Sequence, residues 1–181
     1  MVKYKVTIGY DERAENPLTW DDTIVFACEH GRYNLGNARM RELLDKYDYS
    51  GDEWDLAAIM DHLSQYGYVD TLAMTDHSSL TVYRGSPHDS WDAGYIGVVF
   101  VDNAHVPEFA DIGAYIDGMI DDYNQYLNGE IYGYRVEKYT SDGMEYVDGC
   151  CGYYSIDDIK NDCIQCIPDE CRDNIEWAGI A

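Results

Sequence analysis

The stretch VDTLAMTDHSSLTVYRGSPHDSWDAGYIGVVFV, residues 69–101, decides the class of fold. Apolar and polar residues alternate with period two over 70–75 and 79–84, which is strand patterning. Between them Thr75-Asp76-His77-Ser78-Ser79 is short and polar enough for a tight turn. The ten residues 85–94 form a loop. In 94–101 (GYIGVVFV) the apolar run is continuous, as expected of a strand buried on both faces at the centre of a sheet.

Helical spacing takes over on both sides of this block. Downstream, Phe109, Ile112, Ile116, Met119, Ile120, Tyr123 and Leu127 recur at intervals of three and four behind Pro107, so a helix is predicted over 108–127. Asn128-Gly129 suits its left-handed C-terminal cap. Upstream, Met40, Leu43, Leu44 and Tyr47 predict a helix over 37–47 capped by Asn37. Trp54, Ala57, Ala58, Met60 and Leu63 predict another over 52–65, capped by Asp52.

Farther out, 2–9 alternates as a strand, 11–22 is a polar loop and 23–28 suits a short buried strand. Segments 130–139 and 144–154 read as a hairpin turning at Asp142-Gly143. A short helix over about 156–163 and an irregular, cysteine-containing tail close the chain. This order is not regular βαβ alternation. The expectation is an α+β fold: a single antiparallel sheet of about five or six strands with helices packed on one face. A core domain over 1–155 would carry the C-terminal helix and tail, 156–181, on the same body.

Charge narrows the function classes. The chain has 35 acidic and 12 basic residues among 181, a net charge of −23. Residues 1–50 hold nine acids against seven bases, and the remaining chain holds 26 against five. Such a body repels phosphate backbones, so direct nucleic-acid binding is not expected, and a basic protein surface is the expected partner. Duplex DNA carries about one charge per 1.7 Å of axis, so 23 charges match roughly 39 Å, the length of a short duplex. Salt adaptation or plain solubility is the competing explanation, and the excess of 24 Asp over 11 Glu speaks for it. No apolar run approaches the roughly 20 residues that span a bilayer, and the N-terminus lacks a basic segment followed by a greasy one. The expected setting is therefore cytoplasmic, with reduced cysteines.

The candidate partner-binding residues lie on the 108–127 helix, where Asp111, Asp117, Asp121 and Asp122 fall largely off the apolar stripe. Tyr123 and Tyr126 supply aromatic contact area beside them. The alternative class is a metal protein or hydrolase. Cys163-Ile-Gln-Cys166 has zinc-knuckle spacing with Cys171 nearby, although core packing explains the same spacing. Asp76 and His77, with Ser78, Ser79, His88, Asp89, Ser90 and Asp92 close in sequence, invite a base-and-nucleophile reading. No G-x-S-x-G elbow and no phosphate-cradling glycine loop accompanies them. Neither an enzymatic activity nor a cofactor is therefore expected, zinc being the one cofactor the residues would allow.

Several segments resemble an uncharacterised family of small acidic proteins of phages, plasmids and other mobile elements. They are Asn16-Pro17 through Trp20-Asp21, CEHGRYNLGN (28–37), TDHSSLT (75–81), SWDAGYIGVVFV (90–101), YNQYLNGEIYGYRVE (123–137) and CCGYY (150–154). The loop before Trp91 departs from the usual pattern. The resemblance implies no catalytic residues. It implies a gene context in which small acidic proteins are similar to inhibitors of host defence, the antirestriction and anti-CRISPR proteins, several of which imitate DNA in charge pattern.

Overall fold

A computed structural model describes residues 2–88 and 91–180. The elements, in chain order, are β1 (Tyr4–Tyr10), β2 (Ile24–Cys28), β3 (Ala38–Arg39), α1 (Met40–Lys46), α2 (Leu56–Leu63), β4 (Gly67–His77), β5 (Ser79–Arg84), β6 (Ala93–Asp102), α3 (Ile112–Leu127), β7 (Tyr132–Thr140), β8 (Gly143–Tyr153), α4 (Ile156–Cys163) and β9 (Ile175–Gly179). The fold is α+β, but the expected single antiparallel sheet is two mixed sheets. One has four strands in the order β8-β7-β1-β9, the other five in the order β3-β2-β6-β4-β5. Each contains one parallel pair, β1 with β9 and β2 with β3.

The sheets belong to two compact units. One comprises residues 1–15 and 125–181, the other 16–124. In the first, β1 pairs antiparallel with β7 along seven residues, and β9 adds to its other edge. Tyr4, Val6 and Ile8 alternate inward, as their period-two spacing predicts, and meet Ile159 and Cys163 of α4 and Ile167 of the tail. The stretch after 155 is thus part of this unit's core, and its last strand completes the sheet.

In the second unit β6 is central, and Ile96, Val98, Val99, Phe100 and Val101 are each at most 3% exposed. Both faces of this sheet are covered. Ala27, Val98 and Phe100 pack against α1 and α2, through Met40, Leu43, Leu44, Ile59 and Leu63. Phe26 and its cross-strand partner Val99 point the opposite way, and there Tyr123 of α3 lies 6.5 Å from Phe26 by ring centroids. The expected one-sided helix layer is corrected accordingly: a strand with no polar side chain over 98–101 requires cover on both sides.

Three helix starts differ from the expected ones. Asn37 does not cap α1. Its side-chain oxygen accepts the Phe26 N–H at 2.8 Å, and its amide donates to the carbonyls of Leu18 and Ile24 at 3.0 Å, so it ties a loop to β2. Asp55, not Asp52, caps α2 by accepting the Ala58 N–H, and Trp54 lies outside the helix, 68% exposed. Asp111 caps α3 by accepting the Ala114 N–H at 3.0 Å. The C-terminus of α3 ends as expected. Gly129, at φ +68°, donates to Tyr126, and Glu130 donates to Gln125, the paired bonds of a Schellman cap.

Candidate partner-binding surface

The residues predicted to meet a partner separate once α3 is in place. Tyr123 is 1% exposed, and its hydroxyl oxygen accepts the Gly36 N–H at 2.9 Å. It belongs to the core of the second unit, and its assignment to a partner surface is corrected. Tyr126 is half-buried in the C-terminal turns of α3, within the first unit. Asp111 is committed to the helix cap. Asp117 receives both Nε and Nη2 of Arg84 at 2.7 Å, and the same guanidinium reaches Asp70 at 3.0 Å and the Tyr68 hydroxyl at 2.9 Å. Arg84 holds the Asp117 carboxyl below its ordinary range. A four-residue carboxylate ladder along α3 is thus interrupted by a cation of the chain itself.

Asp121 and Asp122 remain, and among the described residues no cation pairs with either. Burial raises the Asp122 carboxyl, and its neighbour Asp121 raises it further. Both acids border a groove of about 470 Å³ walled by Pro17, Trp20, Tyr115, Gly118 and Met119, with Asp21 at its side. The position of Pro17–Asp21 follows from local chemistry. Asn16 accepts the Leu18 N–H, Pro17 starts a 3-10 turn, and Leu18 is buried, which leaves Trp20 outward and 58% exposed.

Tyr115 is 45% exposed, packs on Phe109 at 5.0 Å between centroids and donates its hydroxyl proton to Asp21 at 3.1 Å. Burial works to raise the Asp21 carboxyl, but the Thr23 hydroxyl at 2.6 Å, the Thr23 N–H at 2.9 Å, Tyr115 and the charge of His105 outweigh it and lower it. The groove is thus apolar on its walls and ionised at its margin. Trp20, Asp21, Tyr115 and Met119 were not among the expected site residues. The available signal was Trp20-Asp21-Asp22, a tryptophan inside a polar segment.

The alternative site is a second cleft, of about 520 Å³, lined in part by His30, Arg32, Asp76, Trp91 and Asp92. Asp76 accepts from Arg32 at 2.6 Å and from the Tyr33 hydroxyl at 2.9 Å, and the Asp76 bond is the main influence raising Tyr33. His77 Nδ1 meets Asp92 at 3.1 Å. Asp76 and Asp92 therefore share this cleft with Arg32, whereas His77 meets Asp92 and does not line the cleft. Among the described residues, no serine or cysteine hydrogen-bonds to the His77 ring. His88 stacks instead on Tyr83 at 4.3 Å, and Asp89 and Ser90 lie outside the described residues.

The cysteine group resolves into core and surface. Cys163 and Cys171 sit in the hydrophobic cluster of the first unit, and burial pushes the Cys163 thiol up to about 11. Cys166 is half-buried and donates to the Cys163 carbonyl at 3.0 Å, while Cys150 and Cys151 are exposed on β8. Among the described residues no group of three or more His, Cys, Asp or Glu is placed to hold a metal ion. Nor, among these residues, is any helix long and apolar enough to cross a membrane.

The charge also divides differently in space than along the chain. The unit of residues 1–15 and 125–181 carries 15 acids and seven bases, and that of 16–124 carries 20 and five. The near-neutral first fifty residues are shared between these two acidic units and form no neutral body. Comparison with known protein families, with characterised proteins and with solved structures finds no match.

Proposed function

We propose that this protein is an acidic inhibitor of a host defence system, of the anti-CRISPR or antirestriction kind, acting in the cytoplasm of the host. It would bind a basic nucleic-acid-binding surface of a protein and block entry of DNA or RNA. The observation that carries this reading is the pair Asp121–Asp122, which no cation pairs with among the described residues and which the exposed rings of Trp20 and Tyr115 border. Acids beside large aromatic anchors suit a protein interface, in which a few buried rings and charge pairs supply most of the affinity. The net charge of −23 adds long-range attraction to a basic partner and speeds encounter. The interruption of the α3 ladder at Asp117 favours a local charged groove over imitation of an extended phosphate backbone.

Affinity capture from a host expressing the tagged chain tests this reading. The expected prey is a nucleic-acid-binding protein whose capture weakens steeply as salt rises, because exposed charges are screened beyond about 8 Å at physiological ionic strength. Reversal of Asp121 and Asp122 to Lys should release it, whereas reversal of the exposed Glu12 and Glu15 should leave most of it bound. A prey with no nucleic-acid function, or equal effects of the two reversals, would overturn the assignment.

A further inference from the structure

The groove at Trp20 and Tyr115 carries more detail than a negative surface needs. Its walls are apolar and aromatic, its margin bears Asp21, Asp121 and Asp122, and none of the five cationic side chains of residues 16–124 lines it. The groove is half-open, with a volume of about 470 Å³, within the range of ligand-binding clefts. Burial of Asp122 next to Asp121 costs solvation that a cation entering the groove would restore.

We propose that this groove is the docking site for an arginine side chain of the protein partner, its guanidinium against the Trp20 and Tyr115 rings and within reach of the Asp121 and Asp122 carboxylates. The inference rests on the partner being basic, as argued above, and adds which side chain is recognised and where. Three physical points select arginine over lysine. The guanidinium is planar and stacks on aromatic faces, it is more weakly hydrated than an ammonium, and its fork matches carboxylate oxygens two at a time. The chain already pairs its own arginines in these ways. Arg32 and Arg135 lie over Tyr33 and Tyr146 at 5.4 and 5.3 Å, but Lys3 and Lys46 lie as close to Tyr139 and Tyr47, at 5.3 Å. The feature that singles out arginine is therefore the grip of Arg84 on Asp117 through two nitrogens. Tyr115 has a second part as a positioning residue, since its hydroxyl holds Asp21 at the groove side.

The test uses the full chain with 15N-labelled indoles and three blocked peptides, acetyl-Gly-Arg-Gly-Arg-Gly-amide and its lysine and citrulline counterparts. The Trp20 resonance is identified by its loss in Trp20→Phe. The arginine peptide is expected to shift the Trp20 indole in a saturable way. The lysine peptide should bind about fivefold more weakly, because an ammonium lacks the planar fork that meets two carboxylate oxygens at once, and the neutral citrulline peptide should not shift it. Asp121→Asn with Asp122→Asn, and separately Tyr115→Ala, should each weaken the arginine peptide at least about fivefold. Unchanged indole signals of Trp54, Trp91 and Trp177 in these variants establish that they are folded.

Equal shifts at all four indoles, equal binding of arginine and lysine peptides, or insensitivity to the double amide variant would each overturn the proposal. If the peptide leaves Trp20 unmoved while the Asp121/Asp122 reversal still abolishes salt-dependent capture, the groove fails and the binding function stands. If capture is indifferent to that reversal while the peptide titration succeeds, the function fails and the arginine site stands.

Discussion

Replacing Tyr123 with alanine removes a ring packed near Phe26 and the oxygen that accepts the Gly36 N–H. At 1% exposure the ring loses nearly all its contacts, and large aromatic deletions in cores cost about 3–5 kcal/mol. Gly36 itself is required there: it sits at φ +77°, and a Cβ would lie 2.2 Å from the Phe26 carbonyl. With an unfolding entropy of about 2.1 cal/mol/K per residue, the loss corresponds to a fall in Tm of about 13–22 °C if residues 16–124 melt by themselves, and of about 8–13 °C if the whole chain melts together.

Tyr123→Phe keeps the ring and removes the hydroxyl that meets the Gly36 N–H, at a cost of about 1 kcal/mol. Calorimetry with chemical denaturation of the three proteins measures both differences. A Tyr123→Ala variant within about 1 kcal/mol of the parent would refute the core placement, since surface substitutions fall in that range. Loss of partner capture in that stable variant would restore the ring to the binding surface.

Other outcomes follow from individual side chains. Arg84→Met strands Asp70 and Asp117 and should destabilise the protein by about 1–3 kcal/mol at neutral pH, a range set by the partial exposure of the pair. Because the folded Asp117 carboxyl lies below its ordinary value of 3.8, its contribution is complete above that value and is lost as pH falls through the lowered one. The difference between parent and variant, followed by denaturation, should therefore shrink below about pH 3.8. Native protein treated with a thiol-reactive disulfide at pH 8 should release a prompt signal from the exposed Cys150 and a slower one from Cys151, whose thiol is raised by the charge of Asp11. Cys28, pushed up to about 12 by burial, and Cys163 and Cys171 should respond only on unfolding. Overnight treatment with a chelator should leave Tm unchanged, and stoichiometric zinc with a lowered Tm on its removal would show that the cysteine packing is wrong.

Much of the local structure is legible in the order of residues. The hairpin of β4 and β5, the buried run of β6, the stripe and Gly129 cap of α3 and the β7–β8 hairpin all rest on periodicities and turn residues within a few positions of one another. The division into two mixed sheets was not legible, because it depends on which distant strand β1 selects. Its parallel neighbour is Ile175–Gly179, more than 160 residues away, and a five-residue edge strand carries too little alternation to announce itself. Asn37 and Asp52 satisfy the composition rule for a cap, yet tertiary contacts took the Asn37 amide for β2 and left Asp52 bonding the Trp54 N–H ahead of the helix.

The same division holds for the candidate surface. The sequence by itself determined that the protein is strongly acidic, tyrosine-rich and without phosphate-binding motifs, since these are sums over side chains that no fold alters. Only the tertiary structure decided which acids remain without a cation. Arg84 is 33 residues from Asp117 in the chain and 2.7 Å from it in space, while Trp20 and Asp121 come to one groove from opposite ends of the unit. A tyrosine tolerates either side of a helix, because its ring is apolar and its hydroxyl polar. Tyr123 turned inward, where its ring packs near Phe26 and its hydroxyl meets the half-buried Gly36 N–H, and bonding to the ionised Asp21 kept Tyr115 at the surface.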